Sequence, residues 1–207
     1  MKADSIKKIY GTYSGIYDII FKQFFFPRQK HAIQNINIAE NETVLDVGVG
    51  TGYILNHYPK NAKVVGIDLT YGMLKEAQKR KKNYKLDNIN LLEMNAEHMA
   101  FADDSFNHVV GAFVISVVPD PVKVLMEMKR VCKRDGNIVL VNHFKSQHPV
   151  IGKIEKMINP FCCKIGWKSD LVLEHLVKEA DLKIVEKYTW KKIDLWNIVL
   201  AENNKPF

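Results

Sequence analysis

The stretch Thr43–Tyr53, TVLDVGVGTGY, restricts the possible folds more than any other part of the chain. Its first half is a short run of apolar and β-branched residues, the pattern of a buried strand. Its second half puts Gly48, Gly50 and Gly52 at alternate positions. Glycines so placed permit a tight turn and let a ligand approach the backbone closely. The pattern predicts strand, loop, then helix. A second apolar run, KVVGID, ends on Asp68, 22 residues after Asp46. Ligands of open α/β sheets bind beyond the carboxyl ends of the strands, so Asp68 is placed to accept hydrogen bonds from two ribose hydroxyls.

The alternation continues to the end of the chain. TVLDVG (43–48), KVVGID (63–68), INLLEM (89–94), FNHVVGAF (106–113) and NIVLVNHF (137–144) read as strands, with two more near 183–190 and 194–201. YGMLKEAQKRKKNY (71–84), PVKVLMEMKRVCKR (121–134) and DLVLEHLVKEA (170–180) read as helices, the second starting on Pro121 and stopping before Asp135-Gly136. Repeated βα units of this length predict a mostly parallel sheet covered by helices on both faces. Residues 4–37 read as helical, with Pro27 opening a second helix. One domain over 1–207 accounts for the pattern: N-terminal helices (1–37), a ligand-binding core (43–144), a lid-like insert (145–167) and a C-terminal helix with strands (168–207).

Charge divides the chain in the same places. The net charge is +7. Residues 1–35 carry six Lys/Arg against two acids, and residues 145–168 carry five Lys against one Glu. The remainder is close to neutral, so the excess lies outside the predicted core. Both basic segments are also apolar: Phe24–Phe26 in the first, Ile151, Ile154, Met157, Ile158 and Phe161 in the second. Such surfaces suit a nucleic acid, an anionic membrane or an acidic partner. The longest apolar run, Val109 to Val118, is half the length of about 20 residues needed to cross a bilayer. The N-terminus has no secretory h-region. Three cysteines, two of them neighbours (Cys162, Cys163), suit a reducing cytoplasm. None of the seven histidines has a metal-ligand spacing, and no metal is expected.

A dinucleotide enzyme would show G-x-G-x-x-G/A. Here the third glycine comes one residue early and Tyr53 takes the final place. The G-x-G-x-G spacing resembles the class I S-adenosylmethionine (SAM) methyltransferases, and LLEMNAEHMAFADDSFNHVV resembles their third-strand segment. Nearly the whole chain, through YSGIYDIIF, SVVPDP, VNHF and GWKSDL, is similar to bacterial phospholipid N-methyltransferases of the Rhodobacter type. CKRDGN departs from their commoner Lys-Pro-Gly-Gly turn.

The resemblance implies a Rossmann-like seven-stranded sheet and stepwise methylation of phosphatidylethanolamine (PE) towards phosphatidylcholine, with S-adenosylhomocysteine (SAH) as by-product. It implies a cofactor site built from Asp46, Gly48, Gly50, Gly52, Asp68, Met73, Asn95, Ala96, Glu97, Ala112 and Phe113, with Met73 against adenine and Asn95 where aspartate is frequent. Transfer would be in-line to a neutral amine, catalysed mostly by proximity and orientation. His143 is the candidate proton acceptor, with a packing histidine as the alternative; Asn142 would orient the amine. Tyr13 and Tyr17 would close over the methyl group, because aromatic faces suit sulfonium and ammonium cations; helix–core packing is the alternative. Arg28, Lys22, Lys145 and Lys168 are candidates for the lipid phosphate. The enzyme would lie peripherally on the inner face of the cytoplasmic membrane, with Phe24–Phe26 either in lipid or in the core. A quinone-precursor C-methyltransferase and a non-catalytic nucleic-acid binder are the competing readings; the intact glycine loop and Asp68 oppose the latter, so no nucleic acid is expected as a partner.

Overall fold

The computed structural model describes residues 25–145, 157, 168–191 and 194–205. Seven strands form one sheet: β1 (Thr43–Val47), β2 (Lys63–Asp68), β3 (Ile89–Glu93), β4 (Phe106–Ala112), β5 (Cys132–His143), β6 (Lys183–Tyr188) and β7 (Trp196–Glu202). Their order is β3-β2-β1-β4-β5-β7-β6. The first five are parallel, while β7 runs antiparallel between β5 and β6. The chain moves outward from β1 through β2 to β3, then returns to lay β4 on the other side of β1. That reversal opens a crevice above β1 and β4, where ligands of such sheets bind.

The helices are α1 (Phe26–Gln34), α2 (Tyr71–Tyr84), α3 (Pro121–Val131) and α4 (Leu173–Glu179). Strand alternation divides the core between the two faces of the sheet. Leu45, Val47 and Val109 pack with Val124, Leu125 and Met128 of α3 and Leu173 and Leu176 of α4. Val44, Val64 and Val110 pack with Ala32 and Ile33 of α1 and Leu74 and Ala77 of α2.

β2 and α2 have the residue ranges expected from sequence. Pro27 lies in the first turn of α1, and Asp120 caps α3 by accepting from the Lys123 N–H at 3.0 Å. Two expectations fail. The glycine loop is followed by a single 3₁₀ turn, Leu55–His57, and no α-helix. Only ten residues separate Gly52 from β2 and Pro59 is among them, which leaves no room for one. α3 ends three residues before the predicted stop, because Cys132 turns extended and joins β5 opposite Phe106. Asn203 makes this break possible: its Nδ2 donates to the carbonyls of Lys129, Cys132 and Lys133 at 3.0, 2.7 and 3.1 Å. Residues 1–24 and the proposed insert, apart from Lys145 and Met157, lie outside the described residues.

Candidate functional site

A cleft of about 960 Å3, counting its open mouth, lies above the carboxyl ends of β1, β2 and β4. Of the residues expected to hold a cofactor, Gly48, Gly50, Asp68, Met73, Asn95, Ala96, Ala112 and Phe113 line it. They arrive from five separate elements: the ends of β1, β2, β3 and β4 or the loops after them, and the first turn of α2.

Gly48 has a φ of +75°, and a Cβ there would stand 2.8 Å from Val114 Cγ2. The loop leaving β4 is thus packed against the glycine loop, and only glycine allows it. Gly50 also has a positive φ, yet a Cβ there would meet only open cleft, with Gly48 O the nearest atom at 3.9 Å. Its bareness keeps space beside the backbone for a ligand.

Asp68 ties this loop to the end of β2. Its Oδ2 accepts from the Gly50 N–H at 3.0 Å and its Oδ1 from the Thr70 N–H at 2.8 Å. Burial nevertheless raises the carboxyl's pKa above the ordinary range, against those two bonds. The Thr70 side chain adds a third hydrogen bond, and the carboxylate still has acceptor capacity for one further donor. Asn95 closes a local turn by accepting from the Glu97 N–H at 2.9 Å. Its neighbours Met94 and Ala96, with Met73, give this part of the cleft an apolar lining, in which a planar base could slot. A slot for a planar base beside a carboxylate for a ribose fits an adenosyl group, so these residues would hold SAM; bound there, it supplies an electrophilic methyl group.

Three of the expected residues do other work. Asp46 is fully buried beneath the loop, where the Tyr58 hydroxyl donates to its Oδ2 at 3.0 Å. Burial pushes its pKa up to about 7. Gly52 packs against Leu55 and Ala77, and Glu97 accepts from the Asp120 N–H at 2.9 Å. None of the three lines the cleft.

Gln29 and Phe113 complete the lining, and the packing that supports them comes from the far ends of the chain. Phe25, just before α1, sets its ring edge-on to Phe113 at 4.7 Å and to Trp196 at 5.8 Å. Phe26 meets Tyr53 and His57. These two phenylalanines therefore pack on the protein rather than in lipid; Phe24 lies outside the described residues. Phe113 has a φ of +61°, a strained conformation for an aromatic residue and one typical of functional sites. Arg28 is committed to Asp194: its Nε reaches both carboxylate oxygens at 3.0 and 2.9 Å and its Nη2 reaches Oδ1 at 2.8 Å. The guanidinium also lies 4.5 Å from the Trp196 ring centre. This pairing, not phosphate, is the ordering role that the structure gives Arg28.

Asn142 and His143 sit at the end of β5, both buried and neither lining the cleft. Asn142 accepts from the Ser116 hydroxyl at 3.2 Å and donates to the His143 carbonyl at 2.8 Å, so its amide braces the strand end rather than facing a substrate. His143 Nδ1 lies 2.8 Å from the Leu195 carbonyl. A carbonyl only accepts, so Nδ1 carries the proton and Nε2 is the basic nitrogen of the neutral ring. Trp196 lies beside His143, 6.2 Å between ring centres, and joins it through Phe25 to the cleft wall. Lys168 donates to the carbonyls of Val118 and Pro119 at 3.0 and 2.8 Å and so fixes the cleft rim. Lys145 is exposed. Tyr13, Tyr17 and Lys22 lie outside the described residues. Among the described residues no cluster of three or more His, Cys, Asp or Glu could hold a metal ion.

Sequence reasoning missed several contributors. Arg80 donates to the Thr51 carbonyl and lies 4.0 Å from the Tyr53 ring centre, clamping the glycine loop from α2. Gln29, Thr70 and Val117–Pro119 also line the cleft. Lining by Thr70 was inferable, since it follows the Asp68 strand end; nothing local marks Gln29 or Arg80.

Comparison with known proteins agrees with this geometry. A family profile described as "Methyltransferase domain" matches residues 45–140. The chain is 34% identical to the phosphatidylethanolamine N-methyltransferase of Cereibacter sphaeroides, over 90% of this chain and 92% of that one. It is 29% identical to a demethylmenaquinone methyltransferase of Oceanobacillus iheyensis, over 72% and 70% of the two chains. A SAM-dependent methyltransferase structure from Aquifex aeolicus superposes with a TM-score of 0.66 at 20% identity, covering 98% of both chains.

Proposed function

We propose that this chain, which belongs to the SAM-dependent methyltransferases, methylates the amine of PE at a bilayer surface. The observation that carries this reading is the match to the Cereibacter sphaeroides enzyme, at 34% identity over nine-tenths of both chains. The quinone-methylating relative is aligned over less of either chain.

The arrangement of side chains is compatible with that chemistry. The ammonium of PE resembles that of lysine, with a pKa of about 10, and must lose a proton before its nitrogen can attack. His143, at the end of β5 behind the cleft lining, is the acceptor proposed in this reading; Nδ1 is engaged with the Leu195 carbonyl, so Nε2 is the nitrogen that would take the proton. Phe113 lines the cleft, and Phe25 and Trp196 pack behind it, a ring cluster of the kind that attracts alkylammonium cations. Tyr13 and Tyr17 would extend it. Lys145 and Lys22 are the phosphate contacts, since Arg28 and Lys168 are engaged with Asp194 and the cleft rim. Among the described residues no helix is long and apolar enough to cross a membrane. Bilayer contact is assigned to the basic, apolar segments 1–24 and 145–167, and the protein to the cytoplasmic face.

The experiment offers the purified protein and labelled SAM two substrates side by side: mixed vesicles of PE and phosphatidylglycerol, and a demethylmenaquinol. Mass spectrometry of the lipids is expected to show methylated PE and unchanged quinol. Methylated quinol with untouched PE would transfer the chain to the quinone class, that of the 26–33% identical relatives.

A further inference from the structure

Gln29 stands out on the cleft wall. It lies on α1, is only 3% exposed, and lines the cleft. Its Oε1 has no hydrogen-bond partner. Among the described residues only two other buried side-chain atoms share that condition, Asp46 Oδ1 and Asn203 Oδ1, and neither residue lines the cleft. A buried amide oxygen without a donor lowers stability, and native structures rarely leave one so. Here the missing donor has a place to come from, because the side chain borders the space a ligand would fill.

The neighbours of Gln29 indicate which part of the ligand it meets. Phe25, four residues earlier on the same face, touches Phe113. Phe26, three residues earlier, touches Tyr53. Gln29 therefore stands between the glycine loop and the end of β4, in the cleft that Asn95, Ala96 and the Asp68 carboxylate also line. With adenine and ribose assigned to those groups, what remains for Gln29 is the non-nucleoside end of the cofactor and the amine beside it. Both present a cationic N–H donor: the α-ammonium of the amino-acid moiety, and the ammonium of a phospholipid head group.

We infer that Gln29 is a ligand-binding residue whose Oε1 accepts a hydrogen bond from a cationic amine in the cleft. A neutral acceptor suits this position. It satisfies an ammonium without adding a buried negative charge beside Asp68 when the cleft is empty. The assignment also makes α1 a part of the ligand site, although it precedes the glycine loop and lies outside its motif. The cofactor arm of the inference stands on the methyltransferase family alone; the lipid arm rests on the PE reading above.

The test compares Gln29→Leu and Gln29→Glu with the parent protein. Calorimetry measures affinity for SAH, which has the α-ammonium, and for 5′-methylthioadenosine, which lacks the amino-acid moiety. Thermal unfolding without ligand controls for folding. If the cofactor is the donor, Gln29→Leu weakens SAH binding by about 10- to 100-fold, the range for a bond to a charged group. It leaves 5′-methylthioadenosine unchanged, and Gln29→Glu, which keeps the acceptor, retains SAH affinity. If the lipid is the donor, SAH binding stays the same while KM for PE vesicles rises by a similar factor. Equal loss of both nucleosides would make Gln29 a packing residue and overturn the inference. So would weaker SAH binding by Gln29→Glu than by Gln29→Leu, or no change in any of these quantities. Failure to methylate PE removes only the lipid arm, because SAH binding is measured without lipid.

Discussion

The two walls of the cleft are built on different principles. The cofactor wall is tied largely by local hydrogen bonds: Asp68 binds Gly50 and Thr70 and Asn95 binds Glu97, each within 18 residues, while Arg80 reaches back 29 residues to the Thr51 carbonyl. The facing wall is assembled across the chain: Arg28 and Asp194 are 166 residues apart, and Phe25 meets Phe113 and Trp196. A wall of backbone N–H groups and short turns recognises an invariant ligand with few side chains. A wall of rings and one ion pair can change its shape through substitutions at distant sites, which is where substrate selection belongs.

The ion pair is the place to break this contrast with the largest effect. The Asp194 side chain is 1% exposed and its partner Arg28 12%. Removing the cation leaves a buried carboxylate without its partner, a change that costs about 3–5 kcal/mol. Arg28→Met, which keeps contact with Trp196, is expected to lower the urea midpoint accordingly. Adding Asp194→Asn should recover much of the loss, and a double-mutant cycle measures the coupling. If the single variant unfolds as the parent does, the facing wall is held by ring packing alone.

Asp68→Ala attacks the other wall. It removes the acceptor of two loop N–H groups and the carboxylate assigned to the ribose. SAH affinity should fall by about 100-fold or more, as hydrogen bonds to a charged group are worth about 1.5–3 kcal/mol each. Stability without ligand should change little, because burial of this carboxylate already works against its charged form. Large destabilisation with normal binding would reverse the roles of the two walls.

What was legible in the sequence follows the same division. The Asp68 strand, the glycine loop and α2 were readable because strand period, glycine conformation and helix period are all local. The helix expected after the loop was misplaced because the strand–glycine pattern says nothing about the ten residues before β2, where Pro59 intervenes. Asp46 and Gly52 were assigned to the cofactor from their place in the motif, yet Asp46 points into the layer containing Tyr58 and Gly52 backs onto Ala77. Phe25 and Arg28 read equally well as membrane contacts until Phe113, Trp196 and Asp194 were brought to them. No property of Phe25 or Arg28 alone distinguishes those outcomes, since their deciding partners lie more than 80 residues away.

β1 allows a comparison of the sheet's two ends by pH. Asp46, near the cleft end, has its pKa raised to about 7 by burial, from about 4 in an unfolded chain. The folded state holds this proton more tightly, so the contribution is complete below about pH 4 and declines as pH rises towards 7. Between pH 5.5 and 7 the decline is about 1–2 kcal/mol. Asp46→Asn should remove that slope from a series of urea midpoints. An unchanged slope would mean that Asp46 is ionised throughout the range.

Glu42, just before the other end of β1, should show the opposite sign and a smaller effect. It lies 2.8 Å from His108 Nε2, and that hydrogen bond is the main cause of its lowered pKa. A lowered carboxylate stabilises the fold above the unfolded value and loses that contribution as pH falls through the folded one. Its side chain is 28% exposed, which limits the pair to about 0.5–1 kcal/mol at neutral pH. Glu42→Gln should therefore differ from the parent at pH 7 and converge with it near pH 3. SAH affinity should be unaffected, since His108 pairs with Val44 at the start of β1 while the cleft lies beyond Val47. A change in affinity would show that the two ends of the strand are coupled, and that the cofactor wall is less local than its hydrogen bonds indicate.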